Sequence, residues 1–158
     1  GDAEASIQSY VMGGGNLFIN PVVIEDTTFT WFPMDSIITL NPGGRIRTGR
    51  EVICEFDSSL NLSVSHIIMV DVRGFIPSEQ AFSSVREIYH MADPQDSDTW
   101  TGNPTICSVG QFQVSLTESS GKVVLLTLPL HDGTRPKLQG NGSSIKFIEY
   151  LLTQEFGL

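Results

Sequence analysis

The sequence predicts a mainly β protein, an antiparallel β-sandwich or jelly-roll-like domain carrying one or two short helices. Short runs rich in Val, Ile, Phe, Tyr and Thr recur between clusters of Gly, Pro, Asn and Asp, at the spacing of antiparallel sandwiches. In residues 51–57, Glu51, Ile53, Glu55 and Asp57 alternate with Val52, Cys54 and Phe56, the period of two of a half-buried strand with mostly polar residues on one face. Residues 122–130 are almost continuously apolar, as a strand covered on both faces would be. At 158 residues the chain suits one domain, 1–158, large enough to bury a core without metal or disulfide support.

In chain order, Ser6–Met12 reads as a strand ended by Gly13-Gly14-Gly15, a bend and not a phosphate-binding GxGxxG loop. Asn16–Ile24 is a strand that Pro21 assigns to an edge or a bulge. Thr27–Phe32 and Asp35–Leu40 flank Pro33 as further short strands. After the turn Asn41-Pro42-Gly43-Gly44 come Arg50–Asp57, with Val52, Cys54 and Phe56 on one face, and then Leu60–Arg73. Within the latter, Ile67-Ile68-Met69-Val70 is expected to be a central strand.

Ser78–Met91 carries a plausible helix cap at Ser78 followed by Glu79, while Val85–Met91 reads equally well as a strand. Gln111–Glu118 alternates, with Phe112, Val114 and Leu116 on one face, and joins Lys122–Leu130 through Ser119-Ser120-Gly121 as a hairpin. Ser143–Phe156 places Ile145, Ile148, Leu151, Leu152 and Phe156 at helical spacing, although Ile145–Ile148 also has strand propensity.

Charge narrows the function classes. Eighteen acidic residues against nine basic give a net charge of −9, which repels phosphate backbones and anionic lipid. Nucleic acid is therefore not expected to bind this chain alone. No apolar run reaches the roughly 18 residues of a membrane span, and the first twenty residues lack a signal peptide's pattern. A soluble chain is expected. It begins without Met, as a processed product or an excised domain would. Cys54 and Cys107 both sit in apolar runs and are expected to be buried free thiols. The acceptor patterns at Asn61 and Asn141 matter only in a secretory compartment.

Several residues are candidates for a site. Asp93, Asp96 and Asp98 lie in one polar loop and together offer oxygen ligands for Ca²⁺, yet the loop lacks the glycine and the bidentate Glu of an EF-hand and reads first as a solvated turn. Arg45, Arg47 and Arg50 would point to one side of a strand and form a local basic patch for an acidic partner, or else guard a sheet edge. Trp100, among loop-forming neighbours, is the expected surface aromatic, suited to a partner or a sugar ring, while Trp31 is assigned to the core. His66, His90 and His131 have no HExxH, HxH or CxxC context, and no GxSxG elbow marks a nucleophile. No cofactor is expected.

The Thr- and Ser-rich strands, the segment His66-Ile67-Ile68-Met69-Val70-Asp71-Val72-Arg73-Gly74 and the long loops resemble viral jelly-roll structural proteins, either coat-protein domains or plant virus movement proteins. The resemblance covers the style of residues 16–130 and rests on no diagnostic motif, so it assigns no functional residue. It implies a non-enzymatic structural, assembly or recognition domain acting through protein–protein contacts, self-assembly included, located in a virion or host cytoplasm. The basic arm that coat proteins use to package genomes is missing from these residues. Competing readings are a carbohydrate- or Ca²⁺-binding sandwich built on Trp100 and the Asp loop, and a small hydrolase built from His and Asp residues.

Overall fold

A helix comes first, where alternation suggested a strand. The structure, a computed structural model, describes residues 1–21, 24, 31–96, 99–131, 136–140 and 143–158. Helix α1 spans Asp2–Met12, correcting the strand expected at Ser6–Met12. Asp2 and Glu4 place negative charge in its first turn, where the helix dipole favours it, and Ala3 and Ala5 are strong helix formers. Gly13 and Gly14 donate back to Ser9 and Val11, and Gly14, at φ 100°, turns the chain out of the helix. Only Val11 of α1 is buried.

Nine strands follow among the described residues: β1 (Leu17–Ile19), β2 (Met34–Thr39), β3 (Glu51–Ile53), β4 (Leu62–Val64), β5 (Arg73–Pro77), β6 (Ser84–Met91), β7 (Thr105–Gln111), β8 (Val123–Leu126) and β9 (Leu138–Gly140). A 3-10 turn at Ser58–Leu60 links β3 to β4, and helix α2 (Ser143–Tyr150) continues into a π-helical turn at Leu151–Glu155. Among the described strands, seven form one sheet in the order β1-β8-β7-β6-β3-β4-β9, and β2 pairs with β5 in a separate ribbon. All the pairings are antiparallel except β1 with β8, where Leu17 lies opposite Val123 and Ile19 opposite Leu125. The chain is thus mainly β, a curled multistranded sheet with two short helices, as a β-sandwich-like fold requires.

Two clusters of buried side chains explain why the central strands are apolar on both faces. Along β8, Val124 and Leu126 join a cluster with Tyr89, Ile106, Phe147 and Leu151, the last two from the C-terminal helical segment. Val123 and Leu125 join the other cluster, with Val11 of α1 and Phe32, Phe75 and Phe82. The expectation for residues 122–130 therefore holds in its central part, and each such buried aliphatic side chain contributes roughly 1.5–3 kcal/mol of transfer free energy. The edge position of β1 also agrees with Pro21, which lies just beyond it and has no N–H for a ladder.

Other expectations shift. The Arg50–Asp57 strand shortens to three residues, and Phe56 turns outward at 52% exposure. Ile67–Val70 is no central strand: Ile68 makes one bridge to Ile46, while Ile67 and Met69 are exposed. The hairpin closing on β8 starts from Thr105–Gln111, and Val114 and Leu116 project from the loop between them. Ser78–Met91 resolves as strand from Ser84 onward, and Ser143–Phe156 as helix. The strand expected at Thr27–Phe32 falls mostly outside the described residues. No helix among the described residues is long and apolar enough to cross a membrane.

Candidate functional site

The Asp-rich loop is built around its own backbone. Asp93 accepts from the Gln95 N–H at 2.8 Å and the Gly102 N–H at 2.7 Å, closing residues 93–102 upon themselves. Gln95 has a positive φ of 61°, which the Asp93 side chain helps hold. The Asp96 carboxylate is paired with the Arg50 guanidinium and also accepts from Thr99. Asp98 lies outside the described residues. The described residues contain no group of three or more His, Cys, Asp or Glu side chains arranged to hold a metal ion.

Arg50 links this loop to Trp100. Its guanidinium carbon lies 5.9 Å from the Trp100 ring centroid, in cation–π range. Trp100 itself is 4% exposed and its indole N–H donates to the Ala92 carbonyl at 3.0 Å, so the expectation of a surface aromatic is corrected. That leaves no open face for a sugar or a partner. Trp31 is the more exposed of the two tryptophans.

Nor do the three arginines make the patch that a strand would have given. Around them only Ile46 is bridged, to Ile68, and a turn at Thr48-Gly49, with Gly49 at φ 89°, redirects the chain before Arg50. Arg45 and Arg47 are exposed, whereas Arg50 is half-buried and engaged by Asp96 and Trp100.

The histidines separate into different environments. His90 on β6 is buried between two carboxylates, Glu87 at 2.9 Å from Nδ1 and Glu55 at 3.4 Å from Nε2. The carboxylates lie against opposite ring nitrogens, an arrangement that fixes the ring. Glu87 also accepts from the Thr105 hydroxyl on β7. His66 Nδ1 lies 3.0 Å from the Pro136 carbonyl, which calls for an N–H there, so that nitrogen does not serve as a base for the neighbouring Ser65 hydroxyl 3.2 Å away.

Sequence reasoning missed the charged latch at the end of the chain. Glu155, on the π-turn, has a side chain only 1% exposed, and it accepts from Arg86 on β6, from Lys122 at 2.9 Å and from the Tyr150 hydroxyl. Arg86 also stacks over Phe56, 5.2 Å from its centroid. Burial together with the nearby Arg86 charge holds the Lys122 ammonium below its ordinary pKa. Burial pushes the Tyr150 phenol up. The clue in the sequence was slight, one of two acidic residues, Glu149 and Glu155, beside an apolar helical stripe.

The remaining chemistry is thiol chemistry. Cys54 and Cys107 are free and buried, as expected, and burial pushes both thiols above their ordinary range. A thiol so shifted is a poor nucleophile.

A further feature is a recess of about 450 Å³ where the segment after β1 meets the strand-like stretch around Ile68 and the chain before β9. Asn20, Pro21, Ile68, Met69, Val70, Pro129, His131 and Lys137 line it. No family model matches the chain, and no curated protein or solved structure is significantly similar to it.

Proposed function

We propose that this is a non-enzymatic assembly or recognition domain that works through protein–protein contacts, in the manner of viral structural proteins, with self-association as its mode. The observation that carries the reading is the outer face of the β2–β5 ribbon. Opposite Phe75, Ile37 faces the core side, while Ile38 and Ile76 lie diagonally across the pair and are 47% and 53% exposed. Neighbouring β-branched residues on an exposed strand pair offer apolar area together with a flat backbone, the combination on which sheets associate. The ionisable clusters support the reading too, because Glu155 is engaged in holding the C-terminal helical segment to the sheet, and Asp93 and Arg50 in closing their loops.

The test is light scattering coupled to size exclusion across a wide concentration range. The expected outcome is a mass that rises above the monomer with concentration and returns to the monomer in an Ile38→Lys, Ile76→Lys double variant. A wild-type chain that stays strictly monomeric at the highest soluble concentration would sink the reading.

A further inference from the structure

We infer that the recess beside His131 and Lys137 binds a small molecule joining an apolar chain to one acidic group, the chemistry of a medium-chain alkyl carboxylate. The inference does not depend on self-association through the β2–β5 ribbon.

Size and lining come first. At about 450 Å³ the recess falls within the range of small-molecule sites, and Pro21, Ile68, Met69, Val70 and Pro129 give it apolar walls. Met69 is 64% exposed, and its flexible, polarisable thioether suits contact with an alkyl chain.

Charge is the second argument. The chain carries −9, yet the described lining contains the Lys137 ammonium and no carboxylate. Lys137 is 8% exposed, and its ammonium donates to the Ile67 carbonyl at 2.9 Å. A cation rarely sits that deep, and a carboxylate brought beside it forms a charge-assisted hydrogen bond in a setting that screens poorly. Both His131 and Lys137 have further interactions within the chain.

Third, Asn20, Ile68 and Lys137 hold part of the wall in place. The Asn20 amide donates to the Leu126 and Leu128 carbonyls at 2.8 and 2.9 Å. Ile68 exchanges backbone hydrogen bonds with Ile46. The Lys137 N–H donates to Leu130, and its carbonyl accepts from Ser65. A ligand entering there has less of the site to order, and affinity is retained that would otherwise be spent on ordering.

The experiment titrates the full chain, carrying ¹³C-labelled methionine methyls, with octanoate, octanol and octylammonium. Octanoate is expected to shift the Met69 methyl saturably while leaving those of Met34 and Met91 in place, and octylammonium to bind about tenfold more weakly or worse. By calorimetry, Lys137→Met should lower octanoate affinity to that of octanol. Met69→Glu, at an exposed position that leaves the core untouched, should weaken octanoate more than octanol, which keeps the inference testable if Lys137→Met does not fold. No Met69 response, equal binding of octanoate and octylammonium, or unchanged octanoate selectivity in Met69→Glu would each overturn it.

Discussion

Lys122 and Glu155 meet at 2.9 Å across 33 residues of chain, the ammonium part-exposed and the carboxylate sealed. The residue that leads into β8 thereby holds the π-turn that ends the C-terminal helical segment. Replacing Glu155 by Gln keeps the shape and removes the anion, leaving Arg86 and Lys122 facing a neutral amide. A loss of about 2 kcal/mol is expected, below the full cost of breaking a buried pair because Arg86 is half-exposed and can turn to water. Urea midpoints measure it, and a midpoint unchanged from wild type would show that the latch contributes nothing.

Alkaline pH should destabilise the fold. Cys54 and Cys107 ionise at higher pH in the folded chain than in the unfolded one, so their contribution is whole below the ordinary thiol value of 9.0 and declines as pH rises beyond it. Tyr89, likewise pushed up by burial, adds to the decline above its ordinary value of 10.0. Lys122 opposes it, because its lowered pKa lets the folded chain lose that proton first as pH approaches 10.5. The net slope is expected to be negative between about pH 9 and pH 10. The urea midpoint followed over that range should fall less steeply in a Cys54→Ala, Cys107→Ala variant.

The same two thiols should be silent towards an aromatic disulfide reagent under native conditions at pH 8, since they are buried and protonated. Both should react at once in denaturant. Rapid labelling of the folded chain would show that the sheet opens near Cys54 or Cys107.

Arg50→Ala removes both the Asp96 ion pair and the cation placed over Trp100. The cost should be about 1 kcal/mol, given the partial exposure of both partners. In a Trp31→Phe background, Trp100 emission should shift to the red as the 93–102 loop loosens. An unshifted spectrum would mean that Asp93 alone keeps the loop closed.

Two glycines offer a contrast. A Cβ on Gly121 would overlap the Gly15 carbonyl, where the approach to β8 passes under the end of α1 and the Gly121 N–H bonds to Val11. Gly49 has open space around it but a φ of 89°. Gly121→Ala is expected to cost about 3 kcal/mol and to unseat α1, and Gly49→Ala about 1 kcal/mol. Thermal melts distinguish them, with equal losses counting against the close approach at Gly121.

How far the sequence could be read depended on whether a residue's neighbours in the chain are also its neighbours in space. Val123–Leu126 was legible because a strand covered on both faces has only one pattern to show. At Ser143–Phe156 the helical stripe and the strand propensity of Ile145–Ile148 left two readings open, and the fold takes the helix. Ser6–Met12 misled because α1 buries Val11 alone, leaving Ile7, Tyr10 and Met12 exposed and so no helical stripe to find. The helix-forming Asp2–Ala5 was the better signal. Trp100 misled because loop-forming neighbours predict an exposed backbone and say nothing of a ring folded beneath it. Ile67–Met69 misled because an apolar run marks burial only when strands flank it, and here it borders a recess. Glu155 shows the limit, since its partners Arg86 and Lys122 come from distant β6 and the approach to β8.

The parallel pairing of Leu17 with Val123 also orders events in time. Asn16 finds its bond to the Lys122 N–H 106 residues further along, a stretch that a ribosome takes about 5 to 20 seconds to add. Until then the first strand has no ladder to join, and its apolar side chains wait in water or with a chaperone. Completion of the sheet is therefore a late, long-range closure, and the emerging β1 segment is where misassembly during synthesis would begin.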